Sequence, residues 1–170
     1  MPQQRASIYI DGANFYHLVL KKLKVSESNF DLDAFAVFLA GDRQYVKEGK
    51  RFYTGTLPAH PDDEYAVKKM AEQTRMLTHL AEHEWSVKTS KLRTREEEIR
   101  VDERIREYPI LKRNNIDVLH LNRLREKGID VKLATDLIVG AVDDQYDIAI
   151  LVSSDTDLVP AIDWVRRRKL

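Results

Sequence analysis

Residues 147–152 read Asp-Ile-Ala-Ile-Leu-Val, a strand candidate whose continuous apolar run ends at Ser153-Ser154-Asp155. Six residues suit a strand and are too few for a buried helix. A strand with no polar alternation must be covered on both faces, as happens in a parallel sheet flanked by helices. Ser7–Ile10 is a second short β-rich run, ending at Asp11 with a turn at Gly12. Arg51–Thr56 and Trp85–Leu92 are further strand candidates, as is Ile116–Leu121. Between them lie helical periods. Phe15, Leu18, Val19 and Leu23 mark one, and Leu32, Phe35, Ala36 and Leu39, capped by Asp31, mark another. Pro61-Asp62-Asp63-Glu64 opens a long third helix, and Val131–Val142 and Asp157–Arg168 complete the set. Strands alternating with helices predict an α/β fold with a mostly parallel central sheet. A chain of 170 residues is one domain's worth, so residues 1–170 are expected to form a single unit. Residues 94–107 are a charge-dense insert, expected to be a solvated loop, helix or extended hairpin. A doubly wound sheet often adds one more strand after the last helix, an element not found here.

Composition narrows the chemistry. There is no cysteine, which removes disulfides, Cys-based zinc sites and thiol catalysis. No signal peptide or membrane span of about 20 apolar residues is visible. A cytoplasmic location without membrane partners is the expectation. The six glycines are too dispersed for a G-x-G-x-x-G loop, and no Gly-Lys-Ser/Thr occurs, so neither an ordinary dinucleotide fold nor a P-loop is available. The 28 basic and 28 acidic residues cancel, yet they are segregated. Residues 86–132 hold 13 Lys/Arg against 9 Asp/Glu, whereas residues 128–165 hold eight Asp, no Glu and a single Lys.

The aspartates sit where function is expected. Asp11 ends one strand; Asp155 and Asp157 follow another. In open α/β sheets the working crevice lies beyond the carboxyl ends of the strands. Asp130 begins the preceding helix, and Asp136 lies inside it among apolar neighbours, where a carboxylate needs a partner. Converging carboxylates repel one another, and a hard divalent cation such as Mg²⁺ or Mn²⁺ offsets that repulsion. Such a site polarises a phosphoryl group and activates water, which points to a metal-dependent phosphodiesterase. Basic rows offer a phosphate track: Lys88, Lys91, Arg93 and Arg95, then Arg123, Arg125 and Lys127. Tyr16 and Tyr53 are candidates for stacking on unpaired bases. Two other patterns are set aside. His79-Leu80-Ala81-Glu82-His83 fits a zinc-peptidase motif but has no third ligand motif downstream. Asp155-Thr156-Asp157-Leu158-Val159 has the spacing of a phosphatase box but lies near the chain's end. His17, His60 and His120 are isolated and read as structural or exposed.

The segments IYIDGANFY (8–16), GIDVKLATDLIVGA (128–141) and AILVSSDTDLVPAI (149–162) together resemble the NYN-domain family of PIN-like ribonucleases. The resemblance implies a PIN-like three-layer α/β/α sandwich and metal-dependent cleavage of RNA. It makes Asp11 the first acidic ligand, with Asn14 orienting it or a phosphate. Asp130 and Asp136 become the helix carboxylates, and Asp155 and Asp157 the strand-end pair. Asp11, Asp136 and Asp155 are then expected as primary metal ligands, with Asp130 and Asp157 in support. Ser154, Tyr16, Lys88, Lys91, Arg93 and Lys132 are expected to bind substrate. The expected activity is Mg²⁺- or Mn²⁺-dependent hydrolysis of single-stranded or loop RNA. The alternatives are a non-catalytic RNA-binding or partner-recruiting module and a structure-specific DNA nuclease. The insert is a candidate homodimer contact.

Overall fold

A computed structural model of the chain describes residues 3–57 and 63–169, without the side chains of Ser28, Leu124 and Arg125. The expected helix start at Pro61-Asp62, His60 and the Arg125 side chain lie outside the described residues. Among the described residues six strands occur: β1 (Arg5–Asp11), β2 (Gln44–Thr56), β3 (Trp85–Lys91), β4 (Arg93–Arg100), β5 (Val118–Arg125) and β6 (Ile148–Val152). Helix α1 (Gly12–Phe15) passes through a π-helical turn, Tyr16–Leu20, into α2 (Lys21–Leu23). Then come α3 (Leu32–Ala40), α4 (Glu64–Glu82), α5 (Tyr108–Arg113), α6 (Ile129–Val142) and α7 (Val159–Lys169). Asp31 caps α3 by accepting from the Ala34 amide at 2.8 Å, and Asp63 caps α4 through Ala66 at 3.0 Å. Each satisfies an amide that has no partner within its helix.

The main sheet runs β3-β2-β1-β6, every pairing parallel. Alternate residues of β1 face opposite layers. Tyr9 joins Tyr53, Leu133, Leu137 and Tyr146 on the side of α6 and α7. Ile8 and Ile10 join Phe15, Leu32, Phe52 and Leu80 on the side of α1, α3 and α4. Two cores, one on each face, make this the three-layer α/β/α sandwich of the PIN-like fold. No described helix is long and apolar enough to cross a membrane.

The observed β2 is longer than the expected 51–56. Its polar first half, Gln44–Lys50, reaches β1 across a register shift at Ala6/Ile8, with Glu48 at a φ of 58°. Residues 94–100 of the charge-dense segment lie in β4, which pairs antiparallel with β5 in a separate two-stranded ribbon. Residues 101–107 form a loop with turns that leads into α5, so the segment supplies one strand of a hairpin whose second strand lies beyond it.

Candidate active site

The strand order places the chemistry. From β1 the chain moves to β2 and β3 on one side, and later to β6 on the other, so the order reverses between β1 and β6. That reversal opens a crevice at the strands' carboxyl ends. Asp11 ends β1 and is 5% exposed. Its carboxylate accepts from the Asn14 amide at 3.0 Å and from Ser153 Oγ at 3.0 Å. Ser153 Oγ in turn accepts from the Asp155 amide at 3.1 Å. Asn14 Oδ1 accepts from both the backbone and hydroxyl of Ser154, at 3.2 and 2.9 Å. Asp155 receives the Asp157 amide at 2.9 Å, starting the turn Thr156–Leu158. These bonds clasp the end of β1 to the end of β6.

Asp130 stands on the first turn of α6, preceded by Gly128 at a φ of 88°, a conformation that glycine adopts without strain. Asp11, Asn14, Glu126, Asp130, Ser154 and Asp155 line one open cleft of about 370 Å³. Burial raises the Asp130 carboxyl above the ordinary range, and the charges of Asp11, Asp155 and Asp157 push it the same way. Glu126 is also raised, by burial and then by Asp130 and Asp11. Five acid groups therefore share one electrostatic neighbourhood.

The expected residues distribute unequally. Asp11, Asn14, Asp130, Ser154 and Asp155 meet at the cleft, with Asp157 beside it. Asp136 stands apart, further along α6, where it accepts the Tyr53 hydroxyl at 2.8 Å. The partner demanded by its apolar setting is a tyrosine rather than a cation. Tyr53 is 0% exposed, so it cannot stack on a base, whereas Tyr16 is exposed. Lys132 donates to the Thr89 carbonyl at 2.6 Å, which ties α6 to β3 and uses one of its three N–H donors. Lys88 and Lys91, three residues apart on β3, point to opposite faces, while Arg93 and Arg95 share a face of β4. His79 and His83 lie at the far end of α4, with His83 Nδ1 2.9 Å from Asp33.

Glu126 was not foreseen. Its one signal is its position four residues before Asp130, where a carboxylate reaches the same helix start. A Cβ on Gly55 would lie 2.8 Å from Glu126 Oε2, so a bare backbone at Gly55 makes room for it.

Among the described residues no three carboxylate or imidazole groups converge tightly enough to hold an ion unaided. The donor set still fits a hard divalent cation. It is all oxygen and anionic, and Mg²⁺ characteristically takes one or two carboxylates, several waters and substrate phosphate rather than a protein cage.

The family model for the NYN domain matches residues 5–170, and the chain belongs to that family of PIN-like ribonucleases. No curated protein and no solved structure matches it significantly.

Proposed function

We propose that this NYN-domain chain is a metal-dependent ribonuclease that hydrolyses phosphodiester bonds in single-stranded or loop RNA. The carrying observation is the convergence of Asp11, Glu126, Asp130 and Asp155 on one open cleft at the sheet's reversal point. Asp11, Asp130 and Asp155 would hold Mg²⁺ or Mn²⁺, with Asp157 in support; Asp136, bonded to Tyr53, is left out of the ligand set. Bound there, the cation would polarise the scissile phosphoryl group and acidify the attacking water. The chain's own residues orient the reaction. The Asn14–Ser154 bonds hold the two sides of the cleft in register, so that the carboxylates need not reorganise when substrate arrives. Glu126, outside the ligand set, would accept the proton of the attacking water. The water oxygen joins phosphorus, the bond to O3′ breaks, the departing O3′ takes a proton from solvent water, and the products are a 5′-phosphate and a 3′-hydroxyl. Exposed Arg93 and Arg95 would hold the phosphate chain without reading its sequence.

The test is cleavage of an end-labelled RNA with Mn²⁺ or Mg²⁺, beside DNA of the same sequence. Metal-dependent RNA cleavage, lost in Asp155→Asn and Asp130→Asn with unchanged thermal unfolding, is the expected result. Wild-type protein that binds the RNA but cuts it with neither metal would be a binding module.

A further inference from the structure

A second concavity of about 560 Å³ adjoins the acidic cleft and shares Ala13, His17 and Glu126 with it. Its floor is small or apolar, including Gly12, Leu57 and Ala66. Its rim carries Tyr16 and Tyr65, which are 37% and 71% exposed. Lys69 lies over the Tyr65 ring at 5.9 Å and is paired with Glu72 at 2.9 Å. Exposed tyrosines beside a phosphodiester site are stacking surfaces for an unpaired base.

Glu27 is one of the groove's polar groups, with Thr54, Lys69, Glu72, Gln73 and Glu126. It is half-buried in the wall, in the turn Glu27–Asn29. Among the described residues its carboxylate makes no hydrogen bond or ion pair. Burial raises its carboxyl, while the nearby charges of Lys69 and His17 favour the anion. A half-buried carboxylate without donors is an acceptor waiting for two of them. Of the RNA bases, only guanine offers two adjacent donors, N1–H and the N2 amino group, on its Watson–Crick edge. Adenine and cytosine place an acceptor beside their amino group, and uracil flanks its single N–H with two carbonyls. Both would set oxygen or nitrogen lone pairs against the carboxylate.

We propose that this groove is a guanine subsite, with Glu27 accepting from N1–H and N2–H and with Tyr16 and Tyr65 against the base faces. The subsite rests on the ribonuclease reading, because it is the contiguous cleft that makes a nucleotide the expected occupant. It would give the enzyme a preference for phosphodiesters next to guanosine.

The experiment is calorimetric titration of the full chain, in Mg²⁺, with guanosine, inosine and adenosine 5′-monophosphates. Binding is read without turnover, so the outcome does not depend on cleavage. The guanosine nucleotide should bind roughly ten-fold tighter than the adenosine one, in line with a bidentate base contact. The inosine nucleotide, lacking the N2 amino group, should fall between them. Glu27→Gln should erase the ranking, and Tyr65→Ala should weaken all three. Equal wild-type affinities, no binding of any of them, or a ranking unchanged in Glu27→Gln would overturn the subsite. RNA cleavage by the same wild-type protein would then leave the nuclease reading standing. A guanine ranking in a protein that never cuts RNA would instead sink the catalytic reading alone. The wild-type ranking also serves as the test if Glu27→Gln does not fold.

Discussion

The two carboxylates of α6 show how little a residue's type says about its task. Asp130 and Asp136 lie six residues apart, yet one faces four other acids and the other faces a phenol. Asp136→Ala leaves the buried Tyr53 hydroxyl without its acceptor, so it should cost about 1–3 kcal/mol of stability. Denaturant unfolding measures that loss, and RNA cleavage by the folded fraction should be retained. Gly55→Ala tests the converse. Its new Cβ would crowd Glu126 Oε2 at 2.8 Å and Leu92 Cγ at 3.1 Å. Turnover should drop by roughly ten-fold or more, the scale of a displaced proton-transfer group, with little change in melting temperature. Asp11, Asp130 and Asp155 were legible in the sequence because strand ends and helix starts are visible as patterns. Asp136 was legible as a carboxylate needing a partner, but periodicity along one helix cannot name a partner on β2. Glu126 sits in a charged stretch, where its spacing from Asp130 is the one signal that sets it apart.

Among elements, the apolar runs of β1 and β6 announced themselves because both of their faces are covered. The first half of β2 did not, since Gln44–Lys50 mixes polar with apolar residues and buries only Gly49 fully. The β4–β5 ribbon was legible only as one of three options, because its mixed charges fit a solvated strand as well as a loop. Its two strands pair with each other and with no strand of the main sheet. Arg93 and Arg125 are cross-strand partners, so their Cα atoms lie about 5 Å apart and a short turn can join them. Excising residues 94–124 behind such a turn should leave the α/β body folded, as circular dichroism and thermal unfolding would show. It should also raise the KM for long RNA more than it lowers kcat. At the amino end of the sheet, Arg5 fastens β1 to the segment leading into β6. Its backbone amide reaches Asp147 at 2.7 Å, and its guanidinium bonds both Asp147 and the Asp144 carbonyl. The Arg5 guanidinium and amide hold the Asp147 carboxyl down at about 2, against about 3.9 in an unfolded chain. The depressed value means the contribution to stability is complete above pH 4 and fades as pH falls from about 4 to about 2. Unfolding midpoints measured across that interval should fall more steeply for wild type than for Asp147→Asn.

Over the whole molecule, zero net charge conceals a basic excess over residues 86–132 and an acidic cleft. Without cation, such a cleft would repel the phosphates that the proposed RNA track, Arg93 and Arg95, attracts. Asp130→Asn with Asp155→Asn should therefore raise RNA affinity in EDTA, by roughly five-fold per charge relieved near 4 Å in water. Fluorescence anisotropy with and without Mn²⁺ would show the gain in EDTA and its disappearance with metal. The pairing of the first strand with the last has a further effect, one of timing. Ser153 and Asp11 meet across 142 residues of chain. During synthesis Asp11 emerges long before Asp155, which follows it far down the chain. Most of the sheet can form beforehand, yet the cleft exists only after β6 inserts beside β1. The acidic cleft therefore cannot form on a nascent chain until synthesis has passed β6.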